Sequence, residues 1–350
     1  MAKYSKRRTS ARRRKKQKEV IWRLEIAAAV ALVCVTLCIS LLGGRYGIPT
    51  WGQLYQLLGV SNASPAPTPA PPVKPAQAES GAGGTQATPG SAETQIHFID
   101  VGQGDAVLIE NNGEYALIDC GTEDCETALL AYLEQLGVTE LKLLVMTHPH
   151  ADHIGSMDAV IQNVKVELFL LPELDKAKSY PTTAGFERVL AALEQTETPV
   201  EQAAEGAQYP VGAGTLTVLS TGVETDNYNN ISVCTRYTAG GFAFVDTGDA
   251  EKPVEQALLQ SGAELSALVF KAAHHGSNTS NGAEFLQAVR PQIVVVSCGL
   301  ENSYGHPHAA ALESYAAVGA QVYCTDLQGS VVVTYTPENG LRTYTAKEAA

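Results

Sequence analysis

The sequence MTHPHADHIGS, residues 146–156, is the most informative stretch of this chain because it is rich in histidine. It holds three of the eight histidines in the 350-residue chain, directly after the mostly apolar run 141–145. His148 and His150, two residues apart beyond a strand end, can project to one side of a loop and share a metal ion. Asp152 and His153 follow and can turn toward a second metal. Imidazole and carboxylate ligands suit Zn²⁺ and, somewhat less, Mn²⁺. A helix cap would explain only one or two of these residues, so the stretch predicts a metal site.

Three further polar clusters follow apparent strand ends, where the remaining ligands of a metal site would have to come from. They lie in FVDTGDAE (244–251), VFKAAHHGSNTS (269–280) and NSYGHPHAA (302–310). Each cluster alone could be a turn or a helix cap, but their shared position after strands favours one common site. The candidate residues are Asp246, Asp249, His274, His275, His306 and His308.

The charges divide the chain into two unlike parts. Residues 1–24 contain eleven Lys or Arg and one Glu, whereas the remainder contains thirteen Lys or Arg and thirty-six Asp or Glu. Residues 26–44 carry no charge, and as a helix they would extend about 28 Å, enough to cross a bilayer core of about 30 Å. We therefore predict a basic cytoplasmic tail over 1–25 and an uncleaved transmembrane signal anchor over 26–44. A cleaved signal peptide is the alternative, but residues 41–45 lack a small-x-small cleavage site.

Beyond the anchor, residues 45–94 predict a juxtamembrane segment and a Pro/Ala-rich linker. Positions 62–95 contain almost no large apolar residues, so they cannot bury a core. The cysteines of the remaining chain are odd in number, which rules out complete pairing within one molecule. Cys120 and Cys125 could form a short bridge, although buried core cysteines are the commoner role.

From 95 to 348 short apolar strands alternate with helical patterns, which predicts one α/β domain. Strand pairs joined by tight turns stand beside β-α-β units, so the sheets should be mixed. About a dozen strands are too many for one compact sheet, so we expect two sheets packed face to face with helices outside. Helices are predicted over 125–136, 186–195, 253–261, 283–289 and 309–318.

Seven ordered segments of this domain resemble a known family. HPHADHIGS looks like the HxHxDH signature of the metallo-β-lactamase fold, and the full set closely resembles the hydrolase domain of the ComEC competence protein family. The resemblance covers roughly residues 95–336 and implies an αββα sandwich with metals at the sheet edges between its halves. The segments are FIDVGQGDAVLIE (98–110), LIDCG (117–121), VMTHPHADHIGS (145–156), NNISV (229–233), VDTGDAE (245–251), KAAHHGSNTS (271–280) and SCGLENSYGHPH (297–308).

The resemblance also implies a role for each matching residue. Either His274 or His275 would complete the second metal site, and His274, which comes first after the strand, is favoured. Asp119 in LIDCG would order the metal-binding loop, the alternative being a turn residue. The other implied ligands are His148 and His150 for one metal, Asp152 and His153 for the second, and Asp249 as the bridge between them.

The chain departs from the wider fold family at one ligand. Most members supply a further histidine to the first metal, but no histidine occurs between His153 and His274. The matching region, DNYNNISV (226–233), offers Asn229 or Asn230 instead. An amide oxygen is a weaker zinc ligand than imidazole. We therefore expect two divalent metals, Zn²⁺ or Mn²⁺, with a labile first site, or a single metal.

The ligand types and the resemblance together predict a metal-dependent hydrolase. A metal lowers the pKa of bound water to about 7, so hydroxide would be the nucleophile and no protein nucleophile is needed. Asp152 could orient that hydroxide, and His306 or His308 could protonate or stabilise the leaving oxygen. Residues 277–280, at an apparent helix start, offer donors suited to a phosphate oxygen. The predicted substrate-binding residues are Ser277, Asn278, Thr279 and Lys271.

We accordingly predict a single-pass cell-membrane protein whose catalytic domain is extracellular and acts as a phosphodiesterase or nuclease. Its substrate would be DNA or another phosphodiester. The acidity of the exterior part argues partly against DNA, because non-specific DNA binding relies on Lys and Arg. The alternatives are a phosphodiesterase for teichoic acid or its phosphocholine, a non-catalytic metal-binding module, and a β-lactam or lactone hydrolase. No protein partner is predictable from these residues.

Overall fold

Residues 93–347 are described by the computed structural model. The predicted cytoplasmic tail and signal anchor lie outside the described residues, as does the predicted linker up to residue 92. The first strand begins at Thr94, close to the predicted start of the domain at 95. Between residues 93 and 347 no helix is both long and apolar enough to cross a membrane.

The first sheet has eight strands, of which some run antiparallel and others parallel. Their bounds are β1 (Thr94–Phe98), β2 (Val107–Asn111), β3 (Glu114–Ile118), β5 (Leu143–Val145), β7 (Phe169–Leu171), β8 (Val200–Gln202), β16 (Val331–Thr336) and β17 (Gly340–Thr345). Their order is β17-β16-β1-β2-β3-β5-β7-β8. The hairpin between β2 and β3 turns at Asn112 and Gly113, whose φ angles of 55° and 75° suit an Asn-Gly turn. From β3 to β8 the strands are parallel.

The second sheet has seven strands and is also mixed, as predicted. Their bounds are β9 (Gln208–Val211), β10 (Gly214–Ser220), β11 (Cys234–Ala239), β12 (Phe242–Asp246), β13 (Val269–Lys271), β14 (Ile293–Val296) and β15 (Gln321–Cys324). The order is β15-β14-β13-β12-β11-β10-β9, parallel from β12 to β15 and antiparallel from β9 to β12. A separate pair joins β4 (Glu140–Leu141) to β6 (Lys165–Val166). Strands of two or three residues such as these carry no alternating pattern, which is why the sequence suggested fewer strands.

Helices cover the outer faces of both sheets. Within residues 93–347 they are α1 (Glu126–Gln135), α2 (Ala151–Ile154), α3 (Met157–Asn163), α4 (Ala184–Thr196), α5 (Lys252–Ser261), α6 (Ala283–Val289), α7 (Ala309–Ala317) and α8 (Thr325–Gln328). The five predicted helices correspond to α1, α4, α5, α6 and α7. Thr183 caps α4 by accepting the Phe186 N–H, and Gly262 ends α5 with a φ of 76°.

Three apolar clusters hold these layers together. Between the sheets, the ring of Phe98 on β1 meets that of Phe244 on β12 edge-on at 5.7 Å. Successive strand residues face opposite sides of a sheet. Leu108 on β2 therefore faces away from the apolar cluster between the sheets and packs against α1 and α4 in a second cluster. Phe270 likewise packs under α6 on the other side. The αββα sandwich predicted from the sequence is therefore confirmed.

The cysteines among the described residues are buried and free. Cys125 Sγ donates to the Thr122 carbonyl at 2.9 Å. Cys125 and Cys120 both belong to the apolar cluster between the first sheet and helices α1 and α4. These two residues therefore contribute to the core and form no bridge.

One edge of the sandwich gathers the polar segments that the sequence singled out. The parallel strands β5, β12, β13 and β14 all end there, and ligands in such sheets bind beyond the carboxyl ends of the strands. The two sheets are joined at this edge by the Val233 N–H, which donates to the Thr147 carbonyl at 3.0 Å. The loops after these strands therefore face one another across the sandwich.

Candidate metal centre

The loop between β5 and α2 supplies the first group of candidate ligands. His148 and His153 are buried, while His150 and Asp152 lie partly exposed beside them. His148 Nε2 is 2.9 Å from His150 Nδ1, and the rings of His148 and His153 are centred 4.2 Å apart. Burial lowers the pKa of His148 well below its usual value, which favours the neutral imidazole that binds metals.

Asp249, in the turn after β12, lies between these imidazoles and the second histidine group. Its Oδ2 is 3.3 Å from His153 Nε2, 3.6 Å from His275 Nε2 and 3.8 Å from His148 Nε2. Burial alone would raise the pKa of Asp249, but the surrounding imidazoles, led by that of His153, hold it well below its usual range. An ionised carboxylate therefore lies among several histidines, and its role as a bridge between two metals stays a prediction.

Several buried polar atoms around Asp249 have no hydrogen-bond partner among the described residues. They are Asp249 Oδ1, His153 Nε2, His275 Nε2, Asn229 Oδ1 and Asp105 Oδ1, whereas Asp105 Oδ2 contacts the Lys271 ammonium. One ligand atom from each of Asp105, His153, Asp249 and His275 lies within 4.8 Å of the others. Unpaired buried polar atoms are costly, and imidazole nitrogen with carboxylate oxygen is a donor set for divalent cations. The cluster is therefore able to bind metal.

Asp119, directly after β3, holds the histidine loop in place. One carboxylate oxygen accepts the Thr147 backbone N–H at 2.9 Å. The other accepts the Thr147 hydroxyl at 2.6 Å and contacts His153 Nδ1 at 2.7 Å. A proton on Nδ1 leaves Nε2 of His153 free to face Asp249 as a metal ligand. This is the loop-ordering contact that the resemblance implied.

Of the two adjacent histidines, His275 enters the cluster most deeply. Its side chain is 2% exposed, whereas that of His274 is 21% exposed. His275 Nδ1 donates to the Ser297 carbonyl at 2.9 Å, while His274 Nδ1 lies 3.1 Å from Thr279 Oγ1. Both residues have left-handed backbones, with φ of 50° and 52°, which turns the second side chain inward. The preference for His274 is therefore corrected to His275, although His274 Nε2 also approaches Asp249 Oδ2, at 3.7 Å.

Asn229 and Asn230, the candidates for the position of the missing histidine, point in different directions. Asn229 lines the cavity above the cluster, and its Nδ2 lies 3.4 Å from His274 Nε2. Asn230 is turned the other way, and its Oδ1 accepts the Glu251 N–H at 3.0 Å. Of the two predicted alternatives, Asn230 therefore supports the Glu251 loop, and Asn229 is the amide that faces the centre.

The predicted phosphate donors after β13 are largely used within their own loop. Ser277 is buried, and its Oγ accepts the Thr279 N–H at 3.3 Å. The Asn278 N–H donates to His308 Nδ1 at 3.1 Å. Helix α6 begins only at Ala283, so these residues form a turn and not a helix start. The structure therefore does not bring Ser277, Asn278 and Thr279 into the cavity lining.

Lys271 lies beneath the cluster and not on the substrate side. Its side chain is fully buried, and its ammonium pairs with Asp105 and donates to the Gly248 carbonyl at 3.1 Å. The prediction that it contacts substrate is therefore corrected, because no path to solvent remains. Sequence reasoning missed Asp105, whose only signal was an acidic residue in the Gly-Gln-Gly-Asp turn after β1.

His306 and His308 take different places at the cavity edge. His306 lines the cavity and stacks on His275 at 6.1 Å. Burial, helped by the neighbouring imidazoles, lowers the pKa of His306 to about 4. His308 precedes α7 and is engaged by the Asn278 N–H. Of the two predicted leaving-group histidines, only His306 therefore faces the cavity.

The cavity has a volume of about 350 Å³ and opens directly over the cluster. It joins residues from both sheets, including Gln103 and Tyr304, which sequence reasoning did not select. Its lining residues are Gln103, His150, Ala151, Asp152, Asn229, Asp249, His274, His275, Tyr304 and His306.

Comparisons with known proteins found a family model, relatives and solved structures that are similar to this chain. A family model described as the metallo-beta-lactamase superfamily matches residues 99–299. ComE operon protein 3 of Bacillus subtilis is 29% identical over 264 residues, which is 70% of this chain and 33% of that protein. Competence protein ComA of Neisseria gonorrhoeae is 30% identical over 241 residues, 68% of this chain and 32% of that protein. The chain thus spans about a third of the length of these relatives. Among solved structures, the metallo-beta-lactamase fold protein YhfI from Bacillus subtilis is similar, with a TM-score of 0.45 and 13% identity over 67% of this chain and 96% of that one.

Proposed function

The chain belongs to the metallo-beta-lactamase superfamily, and from this premise we propose that it is a metal-dependent phosphodiesterase acting on nucleic acid. The observation that carries the proposal is the set of buried imidazole and carboxylate atoms without hydrogen-bond partners beneath one open cavity. The similarity to competence proteins supports a nucleic acid as the substrate.

A divalent cation in this cluster would lower the pKa of a bound water to about 7 and would neutralise charge on the phosphate oxygens. Asp152, which lines the cavity and is partly exposed, would accept a hydrogen bond from the attacking water. His306, which also lines the cavity, would donate a hydrogen bond to the leaving oxygen. Asp119 keeps the His153 ring oriented. The residues that would hold the cation are His148, His150, Asp152, His153, Asp249 and His275, with Asn229 and His274 beside them.

We propose further that the N-terminal segment anchors this domain outside the cell. The support is the charge pattern, with a basic stretch over 1–24 followed by uncharged residues 26–44. Lys and Arg before a membrane span favour a cytoplasmic N-terminus. Protease protection of a tag at each end of the chain in intact cells would test this orientation.

The enzymatic proposal is tested with the purified full-length protein loaded with Zn²⁺ or Mn²⁺. The substrates are bis-p-nitrophenyl phosphate, single-stranded and duplex DNA, phosphocholine-bearing teichoic acid, and a chromogenic β-lactam. We expect turnover of the phosphodiesters and of DNA. Asp249→Ala should lower kcat by more than about 100-fold, since even changes behind metal ligands cost about 10- to 100-fold.

The matched control is Asp226→Ala, an exposed carboxylate whose Oδ2 lies 3.4 Å from Lys178 Nζ. This variant should keep full activity. Turnover of teichoic acid but not DNA would move the substrate assignment to that polymer. Absence of turnover on every substrate with either metal would refute the proposal in favour of a metal-binding module without catalysis.

A further inference from the structure

Tyr304 differs from the histidines and aspartates around the metal centre because most of it is exposed. The residue is 63% exposed, yet it lines the same cavity as Asp152, Asp249 and His275. Its ring lies nearly parallel to that of His306, with centroids 5.5 Å apart and planes inclined by 19°. The tyrosine ring therefore stacks on the imidazole, while most of the residue stays exposed to solvent beside the cavity.

The loop that carries Tyr304 is held by its own hydrogen bonds. Asn302 Oδ1 accepts the His306 N–H at 2.9 Å, and Nδ2 donates to the carbonyls of Gly299 and His306 at 2.9 and 2.6 Å. The Gly299 N–H in turn donates to Gln103 Oε1 at 3.0 Å, which ties the loop to the first sheet. The open ring is thus presented by a braced turn, so binding against it requires little further ordering.

The lining of the cavity contains few other groups that could bind a nucleic acid. Among the described residues that line it there is no Lys or Arg, while Asp152 and Asp249 are present. Proteins usually bind a long polyanion through Lys and Arg contacts with its phosphates. Stacking of a base on an aromatic ring needs no positive charge and tolerates any base. An exposed, fixed ring beside the metal centre therefore supplies an attraction that the electrostatics of this cavity do not.

We propose that Tyr304, backed by His306, is a stacking platform for the nucleobase next to the scissile phosphodiester, so that this site selects substrates with an unpaired base. The inference rests on the proposed phosphodiesterase function and names its specificity-determining residue. A base inside a duplex is already stacked on both faces and must be unpaired first, at a cost of a few kcal/mol. Single strands and frayed ends therefore fit the platform.

Tyr228, the other tyrosine near the ligands, is no equivalent platform. Its hydroxyl donates to the Ser179 carbonyl at 3.0 Å, and its ring stands at 81° to that of His150. The residue is partly buried against the outer cluster under α1 and α4. Tyr228→Leu therefore serves as a comparison in which an aromatic ring near the metal is lost without loss of the open platform.

The test compares two single-stranded oligonucleotides with the metal-loaded full-length protein. One carries ordinary bases, and the other carries abasic residues on both sides of the cleaved position. Tyr304→Leu should raise KM for the base-bearing strand about 5- to 150-fold. The kcat for this strand, and both kcat and KM for the abasic strand, should stay at the wild-type values. Tyr304→Phe keeps the ring and should keep the wild-type KM. An equal change on both substrates would overturn the proposal, because Tyr304 would then only support His306.

A binding measurement separates this inference from the proposed function. The ligand is a cleavage-resistant phosphorothioate strand with 2-aminopurine beside the resistant linkage, whose fluorescence falls on stacking. The wild type and Tyr304→Phe should quench it, and Tyr304→Leu should not. If no substrate is cleaved, phosphodiesterase function fails while quenching still reports the platform. Absence of quenching by the wild type refutes the platform whether or not cleavage occurs.

Discussion

Replacing Asp119 by Asn should weaken metal binding without unfolding the protein. The two carboxylate oxygens of Asp119 serve three groups, namely the N–H and hydroxyl of Thr147 and Nδ1 of His153. Asn has the same shape but only one acceptor oxygen. If that oxygen keeps the Thr147 N–H, the amide NH₂ faces His153 Nδ1. The imidazole must then carry its proton on Nε2, which is the atom directed at Asp249 and at the metal.

The size of the effect follows from this conflict. Either His153 becomes a poor ligand, or its Nδ1–H is left facing another donor at a cost of about 1–3 kcal/mol. Losing the hydrogen-bond partner behind a metal ligand typically costs about 10- to 100-fold in affinity, which corresponds to about 1.4–2.8 kcal/mol. We therefore expect the Kd for Zn²⁺ and for Mn²⁺ to rise about 10- to 100-fold in Asp119→Asn.

The assay is a competition titration against a chromogenic chelator, with circular dichroism to verify folding. The matched control is Asp158→Asn, which also loses a carboxylate charge on the same side of the sandwich. Asp158 accepts from Arg188 Nε at 3.1 Å and touches no candidate ligand, so its metal Kd should stay at the wild-type value. The reasoning is refuted if Asp119→Asn binds metal as tightly as the wild type, or if both variants weaken it equally.

Three further predictions concern stability. Lys271→Met should lower the free energy of unfolding by about 3–5 kcal/mol, because it leaves the buried carboxylate of Asp105 without its cation. The control Lys178→Met, at a side chain that is 74% exposed, should change the free energy of unfolding by at most about 1 kcal/mol. Equal losses of the two variants in urea unfolding would contradict this prediction. Burial raises the pKa of Asp246 to about 7, so the folded chain holds a proton that the unfolded chain releases above about pH 4, and stability should fall as pH rises from about 4 to about 7. In the metal-free protein, urea unfolding at about pH 5 and pH 7.5 should detect this slope, and Asp246→Asn should flatten it; a slope that persists in the variant would point to other groups. Gly155→Ala should destabilise the protein by about 1–3 kcal/mol, since the added Cβ would lie 2.3 Å from a backbone nitrogen. Gly185→Ala, where the nearest atom is 3.9 Å from the added Cβ, should instead stabilise helix α4. Thermal unfolding of the two variants tests this, and equal behaviour would rule out the steric explanation.

Much of the domain could be predicted from local patterns. The five predicted helices and the mixed character of the sheets follow from apolar spacing and turn residues, which act within a few positions of the chain. The HxHxDH loop was recognisable because its ligands are neighbours in sequence. The strands β4 and β6 could not be separated from the neighbouring apolar runs, since two residues carry no period.

The sequence by itself determined the fold family and the residue types of the metal centre, because short-range order and spacing are written along the chain. The tertiary structure alone decided which atoms meet. It placed His275 in the cluster through two left-handed residues, turned Asn229 toward the centre and Asn230 away, and buried Lys271 against Asp105. It also set Tyr304 open beside the ligands. These outcomes depend on backbone direction at turns and on contacts between loops far apart in sequence, which residue spacing does not encode.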